Sequence, residues 1–225
     1  MSRHIPGALF AVFTAATAAT LVSGVSDAVA HPSARAWLVA GFWLLKTIVV
    51  AAFSYFLFVR GPSRRAAREP VAFVACAVAI IAAVALGQPG SGSTATLVAG
   101  EALALASCAW LLASVLALGR CFGMLPEARG LVTRGPYRVV RHPVYLGELG
   151  AAAGLVAGAP APRNVIAMAA LVAAQLTRMR LEERALERAF PEYTAYAART
   201  PGLVPWRSRS RSLNAAGRGT RPVET

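Results

Sequence analysis

Four long runs of the chain, Ile5 to Val25, Trp37 to Val59, Pro70 to Leu86 and Thr96 to Leu118, are almost unbroken apolar sequence. At a rise of about 1.5 Å per residue such runs reach, or nearly reach, the width of a hydrocarbon core as helices. The gaps between them read SDAVAHPSAR, RGPSRRAARE and GQPGSGS, all turn-forming or charged. After His142 come two shorter apolar stretches, Val144 to Gly158 and Asn164 to Thr177, parted by Ala159, Pro160, Ala161, Pro162 and Arg163. The pattern predicts an all-α protein. Its architecture is a multi-pass transmembrane helical bundle of four full spans plus a shorter C-terminal helical hairpin, with a cytoplasmic C-terminal helix from Arg178 onward. Gly150, Gly154 and Gly158 recur every four residues, a smooth helical stripe suited to close packing against another backbone.

Composition agrees with a membrane protein: 56% of the 225 residues are hydrophobic and only 15% are charged. The 23 Lys and Arg against 10 Asp and Glu give a net charge of +13, which in a soluble protein would point first to nucleic acid. Here the charge is confined to the gaps and the C-terminus, so membrane topology and anionic lipid are its expected uses. Arg60, Arg64, Arg65 and Arg68 follow the second run, and Arg120, Arg129, Arg134, Arg138 and Arg141 follow the fourth, whereas GQPGSGS carries no charge. By the positive-inside rule the second and fourth runs end in the cytoplasm, and the N-terminus with Arg3 lies inside, as expected for a bacterial inner-membrane protein. The first run, with Ala28, Val29 and Ala30 before His31, also fits a cleaved secretory signal, which would leave the later spans oriented as before.

Cys76, Cys108 and Cys121 form no CxxC or Cys/His spacing, so they read as reduced structural residues, and no metal site is expected. Lys46, inside the second run, is expected to face protein, water or a partner carboxylate, with Glu101 as one candidate, or to snorkel, and it is given no catalytic role. From Arg207 the sequence RSRSRSLNAAGRGTRPVET predicts a flexible basic tail.

The chemistry-bearing segment is GLVTRGPYRVVRHPVYLGELG, Gly130 to Gly150, a cluster of arginines and one histidine wedged between apolar runs. Charge at the edge of a membrane helix requires a functional or topological reason. Leu131 to Arg138 resembles the L-V-T-x-G-P-Y-R block of the isoprenylcysteine carboxyl methyltransferase and phospholipid methyltransferase superfamily. Arg141 to Gly147 resembles its R-H-P-x-Y-x-G block. Downstream, Arg178, Glu182, Glu183 and Leu186 are similar to its R-x-x-x-E-E-x-x-L, with Phe190, Tyr193, Tyr196 and Pro205 at the family's spacing. The resemblance covers Leu118 to Pro205. Pro191 stands where the family commonly has Gly, and Glu148 turns the second block into YLGE, a feature shared with NADPH-binding sterol and steroid reductases.

The resemblance implies an S-adenosylmethionine pocket at the cytoplasmic face, cofactor-binding residues Tyr137, Arg141, His142, Pro143, Tyr145, Glu182 and Glu183, and Arg141 and Arg178 as catalytic residues near an amphiphilic, lipid-like acceptor. It implies a division into four transmembrane helices over 1–118, a cofactor-binding region over 119–206 and a basic tail over 207–225. The residue types suit the cofactor, a zwitterion with an added sulfonium charge: Glu182 or Glu183 can meet its ammonium, and Arg141 with His142 its carboxylate. Pro136 and Pro143 stiffen the intervening segment. On a helix Arg178 and Glu182 are four apart and are expected to pair, which leaves Glu183, turned by about 100°, as the better ligand. An NADPH-dependent membrane reductase and a non-catalytic scaffold are the alternatives.

Overall fold

The computed structural model describes residues 5–63, 65–66, 69–86 and 93–204. Seven helices account for most of them: α1 (Ile5–Ala30), α2 (Ala34–Val59), α3 (Pro70–Ala85), α4 (Thr94–Leu118), α5 (Pro143–Gly158), α6 (Pro162–Ala189) and α7 (Tyr193–Arg199). Local chemistry sets their starts. The Ser33 and Ser93 side chains accept hydrogen bonds from the Ala36 and Thr96 amides at the N-termini of α2 and α4. Pro70, Pro143 and Pro162 open α3, α5 and α6, where the missing N–H has no helical partner to lose.

The all-α expectation holds apart from a two-residue ladder described below, but two helix lengths differ from it. Three helical stretches, Ala8–Ala30, Ala34–Val59 and Thr94–Cys121, are long and apolar enough to cross a membrane. The third apolar run makes a helix of only 16 residues, about 24 Å long, because Pro70 opens it and the helix gives way at Leu86. Conversely, the return leg of the C-terminal hairpin does not stop at Thr177. It continues as one helix of 28 residues to Ala189, since RMRLEERALERA is rich in strong helix formers with neither Gly nor Pro to interrupt it. The helix expected to begin at Arg178 is the extension of that leg.

α4 is central, packed on α2 at one side and on α5 at the other, while α1 packs on α2 and α3 on α6. The glycine stripe of α5 makes the α4–α5 crossing close. A Cβ on Gly147 would stand 2.7 Å from Leu111 Cβ, and one on Gly154 would stand 2.7 Å from the Ala104 amide nitrogen. At the turn between α5 and α6, buried Asn164 donates to the Ala159 carbonyl at 2.8 Å.

The loops at one end of the bundle are sewn together. β1 (Arg65–Ala66) pairs antiparallel with β2 (Glu127–Ala128), Arg65 opposite Ala128 and Ala66 opposite Glu127. The Gly61 amide donates to the Arg120 carbonyl at 3.1 Å, and the Arg120 guanidinium returns a bond to the Val59 carbonyl at 3.1 Å. Arg141 and His142 donate their backbone N–H groups to the carbonyls of Pro201 and Gly202. The arginine-bearing segments after α2 and α4 and the polar end of α6 therefore share one end of the bundle. Pro205, Trp206, the tail over 207–225, Arg3 and most of GQPGSGS lie outside the described residues.

Candidate active site

The site is assembled where α5 begins, between the loop that follows α4 and the far half of α6. Gly135 takes a φ of +60°, a conformation open to glycine at little cost, and turns the chain into a short 3-10 turn over Gly135–Arg138. That turn buries Tyr137, whose carbonyl accepts the Tyr196 hydroxyl at 2.6 Å. Pro143 then opens α5, and its carbonyl accepts the Trp110 indole N–H at 3.0 Å, which ties the start of α5 to α4. The segment from Tyr137 to Tyr145 is thus held at both ends by α7 and α4.

Two charged clusters result. In the first, Glu183 Oε1 accepts from Arg141 Nη2 at 2.8 Å and from His142 Nε2 at 3.0 Å, and Arg141 Nη1 also donates to the Ala197 carbonyl at 2.9 Å. His142 is 4% exposed, so its ring is fixed by packing as well as by this bond. The hydrogen bond from His142, then the charges of His142 and Arg141, hold the Glu183 carboxyl below the usual carboxylate range despite its partial burial. In the second, the Tyr145 hydroxyl donates to Glu182 Oε2 at 2.8 Å and its ring lies under the Arg178 guanidinium, 5.0 Å from the centroid. Arg178 donates to Gln175 Oε1 at 2.8 Å and to the Met124 carbonyl at 3.1 Å, and stands 3.9 Å from the Glu148 carboxylate, which Gln175 also contacts.

The structure brings together every residue singled out from the sequence, Tyr137, Arg141, His142, Pro143, Tyr145, Arg178, Glu182 and Glu183, but it changes their pairing. The expected Arg178 to Glu182 ion pair is not formed. Glu182 is taken by the Tyr145 hydroxyl, and Arg178 turns to Gln175 and Glu148. Glu183, rotated away from Glu182 on the helix as expected, reaches Arg141 and His142. Sequence reasoning did not assign Gln175, Glu148 or Tyr193 to the site. An amide inside the apolar stretch 164–177, apart from Asn164 at its start, was the signal for Gln175, and the departure YLGE was the signal for Glu148.

Tyr193 is buried and lines the same cavity, and among the described residues its hydroxyl has no hydrogen-bond partner, as is also true of Arg141 Nε and Arg178 Nε. Burial, then the Glu183 charge, push the Tyr193 hydroxyl well above its ordinary pKa, so it is a neutral donor. Burial likewise raises Tyr196 to about 12. From this polar end an apolar cavity of about 870 Å³ runs into the bundle, past Tyr145 and Val144 to Phe53, Val49 and Lys46. The polar end offers carboxylates, fixed cations and unsatisfied donors within one wall, a donor set able to hold a zwitterion against a water-poor chamber.

Residues 91–193 match the family described as phospholipid methyltransferase. The nickel-cobalt-cadmium resistance protein NccN of Alcaligenes xylosoxydans xylosoxydans is 40% identical over 87 residues, 36% of this chain and 39% of that protein. The cobalt-zinc-cadmium resistance protein CzcN of Cupriavidus metallidurans is 40% identical over 80 residues, 33% of this chain and 35% of that protein. The chain thus spans little more than a third of the length of the curated relatives it matches. The similarity to a family of methyltransferases thus covers residues 91–193, in a chain with three helical stretches long and apolar enough to cross a membrane.

Proposed function

From that similarity and the geometry of the site we propose that the protein moves a methyl group from S-adenosylmethionine to a lipophilic acceptor, a prenylated carboxylate or a phospholipid-like molecule, at the cytoplasmic face of a bacterial inner membrane. The observation that carries the reading is the Arg141, His142 and Glu183 cluster set beside Tyr145 and Glu182 at the mouth of an apolar cavity. In this reading residues 119–206 hold the cofactor and the helices before residue 119 surround the acceptor. The residues fit the cofactor on an observation independent of family: Tyr193 Oη, Arg141 Nε and Arg178 Nε are buried donors without acceptors, and a carboxylate supplies acceptors.

S-adenosylmethionine supplies an electrophilic methyl carbon on a sulfonium. Glu183 and Glu182 set negative charge where positive charge binds, with His142 and Tyr145 fixing their orientation. Arg141 and Arg178 flank the route by which an acceptor reaches the polar end from the cavity. The apolar walls beyond Tyr145 keep water from the nucleophile, so the gain is in alignment and desolvation and little acid–base machinery is needed. Because the shared segment covers about a third of each relative, the metal resistance in their names is not carried over to this chain.

Calorimetry of the purified protein in a neutral detergent tests the reading. Binding of S-adenosylmethionine and S-adenosylhomocysteine, with no response to NADPH, is the expected outcome, followed by transfer of labelled methyl into the lipid-soluble fraction of a total lipid extract. NADPH binding without a response to either methyl-cycle ligand overturns it in favour of a reductase.

A further inference from the structure

The cavity has a second charged feature that the methyl-transfer chemistry does not use. Among the described residues, four Lys or Arg side chains line it: Arg35, Lys46, Arg141 and Arg178. Three are matched by acids. Arg35 pairs with Glu101 at 3.1 Å, Arg141 with Glu183 at 2.8 Å, and Arg178 stands 3.9 Å from Glu148. The remaining lining acids, Glu127 and Glu182, are held by Arg129 and Tyr145. Among the described residues Lys46 has no carboxylate partner: Glu101, a candidate on sequence grounds, belongs to Arg35. Its ammonium lies over the Trp43 ring at 4.6 Å and the Phe42 ring at 5.5 Å, with Cys108 of α4 as its titratable neighbour.

Nor does the side chain reach a helix end. Lys46 stands twelve residues after Ala34 and thirteen before Val59, about 18 Å of helix from either terminus, beyond what a lysyl stem spans. The ring faces offset only part of the cost of a cation at that depth, and an ionisable side chain there calls for an anion or an aqueous path. The walls around it are apolar: Phe10, Phe13, Val49, Val50 and Phe53 line the same chamber. A small inorganic anion would leave those walls uncovered, whereas a hydrocarbon chain covers them.

We propose that Lys46 is an anion-binding subsite of the cavity, taking a carboxylate or phosphate oxygen of a single-chain amphiphile whose hydrocarbon lies along Phe10, Phe13 and Phe53. Trp43 and Phe42 hold the ammonium from one side, and its N–H donors serve the ligand. The acid that every other lining cation finds in the protein is here supplied by the ligand. The subsite stands on charge complementarity in the bundle and not on the methyltransferase reading.

The test uses the full-length protein in a maltoside micelle, with fluorescence of bound cis-parinaric acid as the readout and no S-adenosylmethionine present. The wild type is expected to bind the acid in preference to its methyl ester. Lys46→Met, which replaces an ammonium by an apolar side chain of similar length, weakens the acid by about tenfold and leaves the ester unchanged, and Lys46→Arg retains acid binding. Competition by dodecyl phosphate assigns the subsite to acidic oxygens in general, and failure of that competition with retained Lys46 dependence assigns it to carboxylates; both support the proposal. Equal binding of acid and ester by the wild type overturns it even if Lys46→Met cannot be purified, as does acid binding that Lys46→Met leaves unchanged. Loss of methyl transfer or of cofactor binding elsewhere would not alter either result.

Discussion

The polar end of the cavity and its aromatic middle are walls of one space built on opposite rules. At the polar end, Arg141 and Arg178 are each met by an acid, and neighbouring side chains add further bonds: His142 on Glu183, Tyr145 on Glu182, Gln175 on Arg178. In the middle, Phe10 packs edge-on to Phe53, Phe53 stacks on Phe122 at 4.7 Å, and Lys46 lies over two rings with no acid. The first arrangement fixes orientation, because each charged group has one geometry in which its partners are satisfied. The second fixes shape and apolar character while leaving one charge for something else to meet. In the proposed reaction, preorganisation falls where the methyl would be transferred, and the open, apolar middle where the acceptor's hydrocarbon would lie.

Removing a partner at the polar end is expected to give the largest effect. His142→Ala or Glu183→Gln deletes a charge-assisted bond and leaves the other cluster members short of a partner. At roughly 1.5–3 kcal/mol for such bonds, affinity for the proposed cofactor falls by about 10- to 100-fold. Isothermal titration with S-adenosylhomocysteine measures it, with helix content by circular dichroism as the control for folding. A loss below about threefold with structure intact would show that the cluster only holds α6 against the start of α5.

A next effect in size separates the frame from the site. Gly154→Ala puts a methyl 2.7 Å from the Ala104 amide nitrogen, so α4 and α5 must part, whereas Gly158→Ala meets its nearest atom, Leu97 Cα, at an ordinary 3.6 Å. Overpacking at the first position is expected to cost about 1–3 kcal/mol and to lower the thermal midpoint in detergent, with the second variant close to wild type. Equal midpoints for the two would mean that the crossing is looser than its backbone spacing implies.

How far the sequence disclosed these two regions follows from the kind of information each uses. The polar end was legible as a cluster because its residues fall in two short blocks of the sequence, and the structure places all eight of the singled-out residues near one another. Their pairing was not legible. The i, i+4 spacing favours Arg178 with Glu182, but the choice was made by Tyr145 and by Glu148 and Gln175 across the α5–α6 contact, a matter of helix register that spacing along one helix does not carry. The aromatic middle was legible only as apolar sequence. That Arg35 and not Lys46 takes Glu101 depends on where α2 lies against α4, and no period in either helix specifies it. The length of α6 is hidden for a simpler reason: the charge at Arg178 marks the end of the apolar run, while the backbone there has no cause to stop.

Tyr193 gives a smaller test of the polar end. Its buried hydroxyl has no partner among the described residues, so Tyr193→Phe removes a desolvated group at no loss of internal bonding and should leave the thermal midpoint unchanged or slightly higher. If the hydroxyl serves the cofactor, affinity for S-adenosylhomocysteine should fall by about threefold to tenfold in the same variant. A raised midpoint with unchanged affinity would remove Tyr193 from the site.

The smallest expected effect is on acid stability, and it bears on Glu183 alone. Its carboxyl is depressed in the folded protein by the His142 hydrogen bond and by the His142 and Arg141 charges, so the folded state binds a proton there less readily than the unfolded chain. The sign follows: its contribution is complete above the unfolded carboxylate pKa of about 4.3 and is lost as the pH falls through the lower folded value. The side chain is 29% exposed, so solvent screening keeps the effect modest. Thermal midpoints of wild type and Glu183→Gln, followed from pH 7 downward, should differ by a constant amount to about pH 5 and converge below about pH 4. A constant difference maintained to lower pH would mean that the ionised carboxylate contributes nothing to the cluster, and that Arg141 and His142 are held by the backbone bonds to Ala197, Pro201 and Gly202 alone.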